Sequence, residues 1–164
     1  GLQPGLYVLV RNPAHEDPLR ASLRGDFSWS RPEGCPAGLP LFVMGHGDLR
    51  GTARQLSCGQ DIAADGAFSL GMLARFDQPL KDDGPGMYPR LFWETGMIGQ
   101  VLYLEAEAAG LRGTGIGCFF DDAVHDLLAL QDQALQSLYH FTVGGPLEDD
   151  RLQTLPPYAH LGKC

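Results

Sequence analysis

The stretch from Tyr88 to Phe120, YPRLFWETGMIGQVLYLEAEAAGLRGTGIGCFF, constrains this chain more than any other. Its first part reads as one long helix from about Tyr88 to Ala109, with apolar residues on almost every face. A helix of that kind is buried on both sides, so the other elements are expected to form layers around it. Gly96 and Gly99 each cost about 1 kcal/mol relative to alanine in a helix. Close approach of another helix or of a cofactor to that face would offset the cost. Gly110 suits the residue that closes a helix. Gly113 to Phe119 then reads as a short glycine-broken strand that runs into an exposed turn.

Charge and length bound what surrounds this unit. The 164 residues carry a net charge of −8. Phosphate backbones and anionic membrane surfaces attract clustered Lys and Arg, so neither a nucleic acid nor a membrane is an expected partner. The length fits one domain over residues 1–164, which buries roughly 70% of its unfolded surface. No apolar run approaches the roughly 20 residues of a membrane span; Met97 to Ala109 is interrupted by Gln100, Glu105 and Glu107. The start, GLQPGLYVLVRNP, has no basic region and no cleavage site, so it does not read as a signal peptide. It has no initiator Met either, and the chain is expected to be part of a longer, cytoplasmic protein. Cys35, Cys58, Cys118 and Cys164 show no zinc-site spacing. Free thiols in a reducing cytosol are the expectation, with a Cys35–Cys58 bridge as the alternative.

The remaining elements follow from local patterns. Leu6–Val10 and Leu39–Met44 read as strands, the first stopped by Asn12-Pro13 and the second by Gly45-His46-Gly47. Between them, HEDPLRASLR opens like a helix, with Glu16 and Asp17 in its first turn. Gly25–Pro40 reads as a loop pinned by Phe27 and Trp29. Asp48 is a candidate cap for a helix running past Ala53 and Leu56 towards Ala63, weakened at Gly59. Ala67–Phe76 reads as a strand, and DQPLKDDGPG as a mobile loop. Asp121 or Asp122 would cap a helix through AVHDLLAL, and Leu138–Val143 is the last strand.

Few residues stand out chemically. Glycines at Gly115 and Gly117 let backbone N–H groups approach a ligand, but GxG is a weak motif, and packing against the long helix explains it as well. Cys118 precedes a helix N-terminus, yet His125 would point away from it, so a buried inert thiol is the plainer reading. His46 fits a surface loop, and His140 a strand residue bonded to its surroundings. Asp121-Asp122 and Asp149-Asp150 read as capping and solvated turn. Glu94, on a buried helix, needs a partner, and Arg90 is the obvious one. Arg20-Ala21-Ser22 follows an acidic turn, which disfavours phosphate.

YPRLFWETGMIGQVLYLEAEAAGLRGTGIGCFFDDAVHDLLAL, followed by LYHFTVGGPLEDDRLQTLPPY, resembles the C-terminal half of the FMN-dependent nitroreductase superfamily, closest to its SagB/ThcOx-type dehydrogenase branch. The matching features are Tyr-x-Arg before the helix, Gly-x-x-x-Gln-x-Leu-Tyr-Leu-x-Ala within it, and Ala-Gly-Leu closing it. A Gly-Ile-Gly strand end and a last strand ending in Val-Gly complete the match.

The resemblance implies an α+β fold, a central and mostly antiparallel sheet flanked by helices, in a homodimer built through the long helix 88–109. It implies FMN at the subunit interface, hydride passing through flavin N5, NAD(P)H as a candidate electron donor and a small-molecule substrate. Cofactor-binding residues follow by position: Gly115, Gly117, Cys118 and Phe119 at the ring edge, with Arg151 towards the phosphate. The resemblance implies no catalytic side chain and no metal. The family's phosphate-gripping Arg-x-Ser helix precedes its first strand, whereas Arg20-Ala21-Ser22 follows one, so the family's N-terminal helices are missing here. The chain would suit the second of two nitroreductase-like repeats. The alternative is a non-catalytic nitroreductase-like module that serves dimerisation or partner binding.

Overall fold

The computed structural model describes residues 1–161; Cys164 lies outside them. Strand β1 (Gly5–Leu9) leads to α1 (Glu16–Ser22), β2 (Leu41–His46), α2 (Arg50–Leu56), α3 (Ile62–Asp65) and β3 (Phe68–Arg75). Helices α4 (Asp77–Asp83) and α5 (Met87–Ala108), strand β4 (Arg112–Ile116), helix α6 (Asp121–Leu128) and strand β5 (Leu135–Gly144) complete the order. The alternation of strands and helices is the expected one, with two departures. DQPLKDDGPG is helical through Asp83 rather than a loop. An Asp77–Lys81 ion pair and a Gln78–Asp82 hydrogen bond of 2.7 Å, both four residues apart, hold those roughly two turns. The helix expected from Asp48 to Ala63 is broken in two, because Cys58 and Gly59 both take left-handed backbone, at φ 56° and 75°.

All strand pairing is antiparallel, but it forms two sheets rather than one: β1–β2, and β3–β5–β4. Strand β5 is central in the larger sheet and is buried on both faces. Its alternation decides what each face does. Tyr139, Phe141 and Val143 point to α5 and pack with Met72, Ala106, Ile98 and Leu102. Phe141 is 0% exposed, and truncating such a ring costs about 3–5 kcal/mol. The opposite face carries His140 and Thr142, whose Oγ1 donates to the Ile62 or Phe68 carbonyl, at 3.1 and 3.0 Å. A second core joins the smaller sheet to the rest: Leu23, Met44 and Leu130 pack with Phe27 and Trp29, which pin the Gly25–Pro40 loop as expected.

Helix α5 corrects the expectation that both of its sides are buried. Leu91, Thr95, Gly99 and Ala106 form one buried face. Trp93, Met97, Val101 and Leu104 form a stripe about 170° away around the helix and are 55–65% exposed. This chain supplies a layer for one face only. Gly99 lies beneath the Tyr139 ring, where an added Cβ would meet Cε1 at 2.9 Å. Its close contact is therefore with the chain's own sheet. Gly96 has nothing within 4 Å of an added Cβ. Glu94 is exposed and pairs with Arg11 at 2.9 Å, not with Arg90. Among the described residues, no helix is long and apolar enough to cross a membrane.

Candidate functional site

The candidate site is the end of β4 and the turn that carries the chain into α6. Gly115 sits in β4 opposite Phe141 of β5. An added Cβ there would fall 1.7 Å from Tyr139 Oη, so glycine is required by an aromatic side chain from the neighbouring strand. The Gly115 N–H donates to Tyr103 Oη at 2.8 Å, which ties the strand to α5. Gly115 thus packs inward. Gly117 differs: it is exposed and has nothing within 4 Å of an added Cβ.

Three consecutive donors follow. Among the described residues, the backbone N–H groups of Gly117, Cys118 and Phe119 donate to no acceptor. The turn is nevertheless held firmly from behind. Phe120 N–H donates to the Leu56 carbonyl at 2.8 Å. Gln60 Nε2 donates to the Cys118 carbonyl at 3.1 Å and to the Ser57 carbonyl at 2.8 Å. Cys118 forms a disulfide with Cys58, with a Cα–Cα separation of 6.0 Å. This overturns the expectation of free thiols and of a buried, inert Cys118, which is instead exposed. It also overturns the Cys35–Cys58 alternative, since Cys35 is free. The fold, not chain spacing, brings the two together: the α2–α3 break and the β4–α6 turn meet although 60 residues apart.

Phe119 closes the other side of the turn. Its ring stacks on the His140 imidazole, with centroids 4.1 Å apart and planes 8° from parallel. His140 Nε2 lies 3.0 Å from Ser137 Oγ. Burial pushes the His140 pKa down to about 4, so the ring under Phe119 is neutral near pH 7. His140 is thus a buried strand residue bonded to its surroundings, as expected. Asp121 accepts a hydrogen bond from Gln136 Nε2 at 3.0 Å, which fixes the start of α6 against β5. The α6 N-cap is Phe120, not either aspartate. Beside the turn, Thr52, Gln55, Leu56, Phe120, Ala123 and Leu127 line a shallow, mostly apolar depression between α2 and α6.

Arg151 stands apart from this cluster. Its side chain is 88% exposed in the segment after β5, and it forks onto Asp149 at 2.8 and 2.6 Å. That fork holds the Asp149 carboxyl below its usual range. Among the described residues, Asp149 is the only hydrogen-bond acceptor of Arg151. Arg20 is also engaged, by Glu16 at 2.9 Å and by the faces of Trp29 and Phe42. His46 is exposed at the end of β2. The described residues assemble no group of three or more metal-ligating side chains. Of the site residues expected from the sequence, Gly117, Cys118 and Phe119 form one turn, Gly115 lies in β4 just before it, and Arg151 does not join them. Gln60, Cys58 and His140 are the parts of the site's support that sequence reasoning missed. No local pattern marks Gln60 or pairs Cys58, because their contacts exist only after folding.

The geometry can be set beside known proteins. A family model described as the nitroreductase family matches residues 36–145. A protein from Anabaena variabilis, provisionally designated a nitroreductase in its crystal structure, has 28% sequence identity and a TM-score of 0.61. That match covers 70% of this chain and 25% of the Anabaena chain, so the present chain spans about a quarter of that protein's length. No curated protein matches. The family match takes in β2 through β5 together with the whole Gly115–Phe119 turn, and on that ground the chain belongs to the nitroreductase family.

Proposed function

We propose that this chain forms part of an FMN site in a flavin-dependent oxidoreductase, with the Gly117–Phe119 turn at the edge of the isoalloxazine ring. The observation that carries the reading is the run of three backbone donors without acceptors beside an uncovered Gly117. A flavin ring edge presents nitrogen and carbonyl acceptors, and main-chain donors tune its electronics. FMN, when bound, supplies hydride transfer through N5. The chain's own part is to bind and orient. The Gly117 and Cys118 N–H groups donate to the ring edge. Gln60, Leu56 and the Phe119–His140 stack keep those donors in place, and the neutral imidazole adds no charge there. No acidic or basic side chain on the turn is needed to move a proton.

Arg151 is the candidate cation for the FMN phosphate, by exchange of Asp149 for the ligand. In the same reading two copies pair through the bare stripe of α5, where Gly96 allows close approach. The substrate is a small molecule, and NAD(P)H is the candidate donor. The SagB-type dehydrogenase branch, a place as the second repeat of a longer chain, a single domain over residues 1–164, and the cytoplasm complete the proposal. A non-catalytic module is the second reading. The engaged Arg151 and the apolar stripe favour it, since a stripe alone suffices for assembly.

The test is the absorbance spectrum of the purified protein after FMN is added and excess is removed. Retained flavin bands are expected, and Arg151→Ala should weaken FMN affinity about tenfold, the worth of one charge-assisted hydrogen bond. A colourless protein would sink the flavin reading in favour of the module. Unchanged affinity in the variant would remove Arg151 from the site.

A further inference from the structure

We propose that Cys58–Cys118 is a thiol–disulfide exchange site whose redox state sets how firmly the Gly117–Phe120 turn is held. The bridge joins the turn to the α2–α3 break. One of its ends, Cys118, is exposed, and the other, Cys58, is half-buried. An external thiolate can therefore approach the bridge on its Cys118 side without unfolding of the chain, which is the access that exchange requires.

The fold also tolerates opening. The same two segments stay joined by Phe120 N–H to the Leu56 carbonyl, at 2.8 Å, and by Gln60 Nε2 to the Cys118 carbonyl, at 3.1 Å. Cys58 is held in left-handed backbone at φ 56°, a conformation that non-glycine residues leave when a constraint is lifted. Release of the bridge thus removes a covalent tie and lets the break relax, while two weaker ties keep the segments in register. Exposed disulfides are the reducible ones. In the cytoplasm, the compartment proposed above, a disulfide is transient or redox-sensing rather than structural.

The ligand class is a small dithiol. Its first thiolate attacks Cys118 Sγ. The Cys58–Cys118 bond breaks, a mixed disulfide forms on Cys118, and Cys58 leaves as a thiolate. The dithiol's second thiolate then attacks its own sulfur in that mixed disulfide and releases the Cys118 thiolate. The dithiol is oxidised by two electrons to its own disulfide, the bridge is reduced by the same two, and the protons lost by the dithiol are taken up by the two cysteines.

The effect on the cofactor rests on the flavin reading; the exchange itself does not. Differential alkylation with peptide mapping, on the intact oxidised chain, tests the exchange. Cys58 and Cys118 should resist alkylation, and dithiothreitol should open both with the far-ultraviolet circular dichroism unchanged. Thiols that alkylate before any reductant, or that open only as the chain unfolds, would overturn the proposal. Hydrogen exchange at the Phe120 amide then reads the grip on the turn. It should be about tenfold faster after reduction and in Cys58→Ser, a loss of about 1.4 kcal/mol of protection. Equal rates would overturn the coupling. FMN affinity should fall about tenfold on reduction, and equal retention would remove the cofactor from the coupling. A chain that holds no FMN in either state refutes the flavin reading alone, because alkylation and amide exchange decide the exchange site without it.

Discussion

His140 makes the sharpest demand on solution behaviour. It lies in the middle of β5, 4% exposed, between the Phe119 ring and the Gly71 backbone, with Ser137 Oγ as its hydrogen-bond partner. Among the described residues, no carboxylate hydrogen-bonds to the ring. Burial alone moves its pKa from 6.5 to about 4. Between those values the unfolded chain binds a proton that the folded chain refuses, so stability rises with pH through that window. It is fully present above pH 6.5 and is lost as pH falls towards 4. At about 1.36 kcal/mol per pH unit the whole effect is about 3 kcal/mol. About 2 kcal/mol of it is gone by pH 5. Against a typical stability of about 5–15 kcal/mol, that is large enough to measure. The lowered carboxylates, such as Asp48 at about 2, lose their contribution only below the unfolded value of 3.8 and leave this window clear.

Urea unfolding at pH 7 and pH 5, on the parent chain and on His140→Gln, is the assay. Glutamine keeps a partner for Ser137 and removes the titration. The variant should be less stable at pH 7 yet lose about 2 kcal/mol less than the parent between the two pH values. The denaturant slope should stay the same, since the area exposed on unfolding does not change. Equal losses in the two proteins would refute the argument. So would a His140 imidazole resonance that titrates near pH 6.5.

Two further outcomes follow from packing. Gly115→Ala would drive a methyl group to 1.7 Å from Tyr139 Oη, and such overpacking costs about 3 kcal/mol; thermal unfolding should show the loss, and Tyr139→Ala should recover part of it in the double variant, whereas simple additivity would refute the clash. Trp93→Glu with Met97→Glu places two charges on the bare stripe of α5, so sedimentation should show a dimeric parent and a monomeric variant with unchanged circular dichroism, and a monomeric parent would remove the interface.

The fold was legible where local chemistry and tertiary demand agree. Asn12-Pro13, the acidic first turn of α1 and the closing Gly110 mark boundaries that the structure keeps within a residue or two. The errors have opposite causes. A sequence shows which residues are apolar, not which layer covers them. Helix α5 is apolar all round, so both faces read as buried, yet the chain covers only the face of Leu91, Gly99 and Ala106. The Asp77–Asp83 helix was hidden for the converse reason. Its support is two polar pairs four residues apart, while its composition is that of a loop.

The turn at Gly117 shows how far a motif can carry an argument. Gly115-x-Gly117 reads as one signal, but the two glycines serve different ends. Gly115 is demanded by Tyr139, a residue 24 positions later that only β4–β5 pairing brings alongside. Among the described residues, nothing within 4 Å demands Gly117. A glycine fixed by packing and a glycine that packing leaves open therefore sit two residues apart under one pattern, and only the neighbour across the sheet separates them. The same holds for Cys118: its place before a helix N-terminus, with His125 pointing away, read as a buried inert thiol, whereas its real neighbour is Cys58. What a local pattern could offer was the place where backbone donors come free. What holds them there is supplied by Gln60, Leu56 and Cys58, all from the α2–α3 segment. Firmness of the turn is thus a property of tertiary structure, and under the exchange proposal reduction of the bridge acts on the donors through the α2–α3 segment as well as at Cys118 itself.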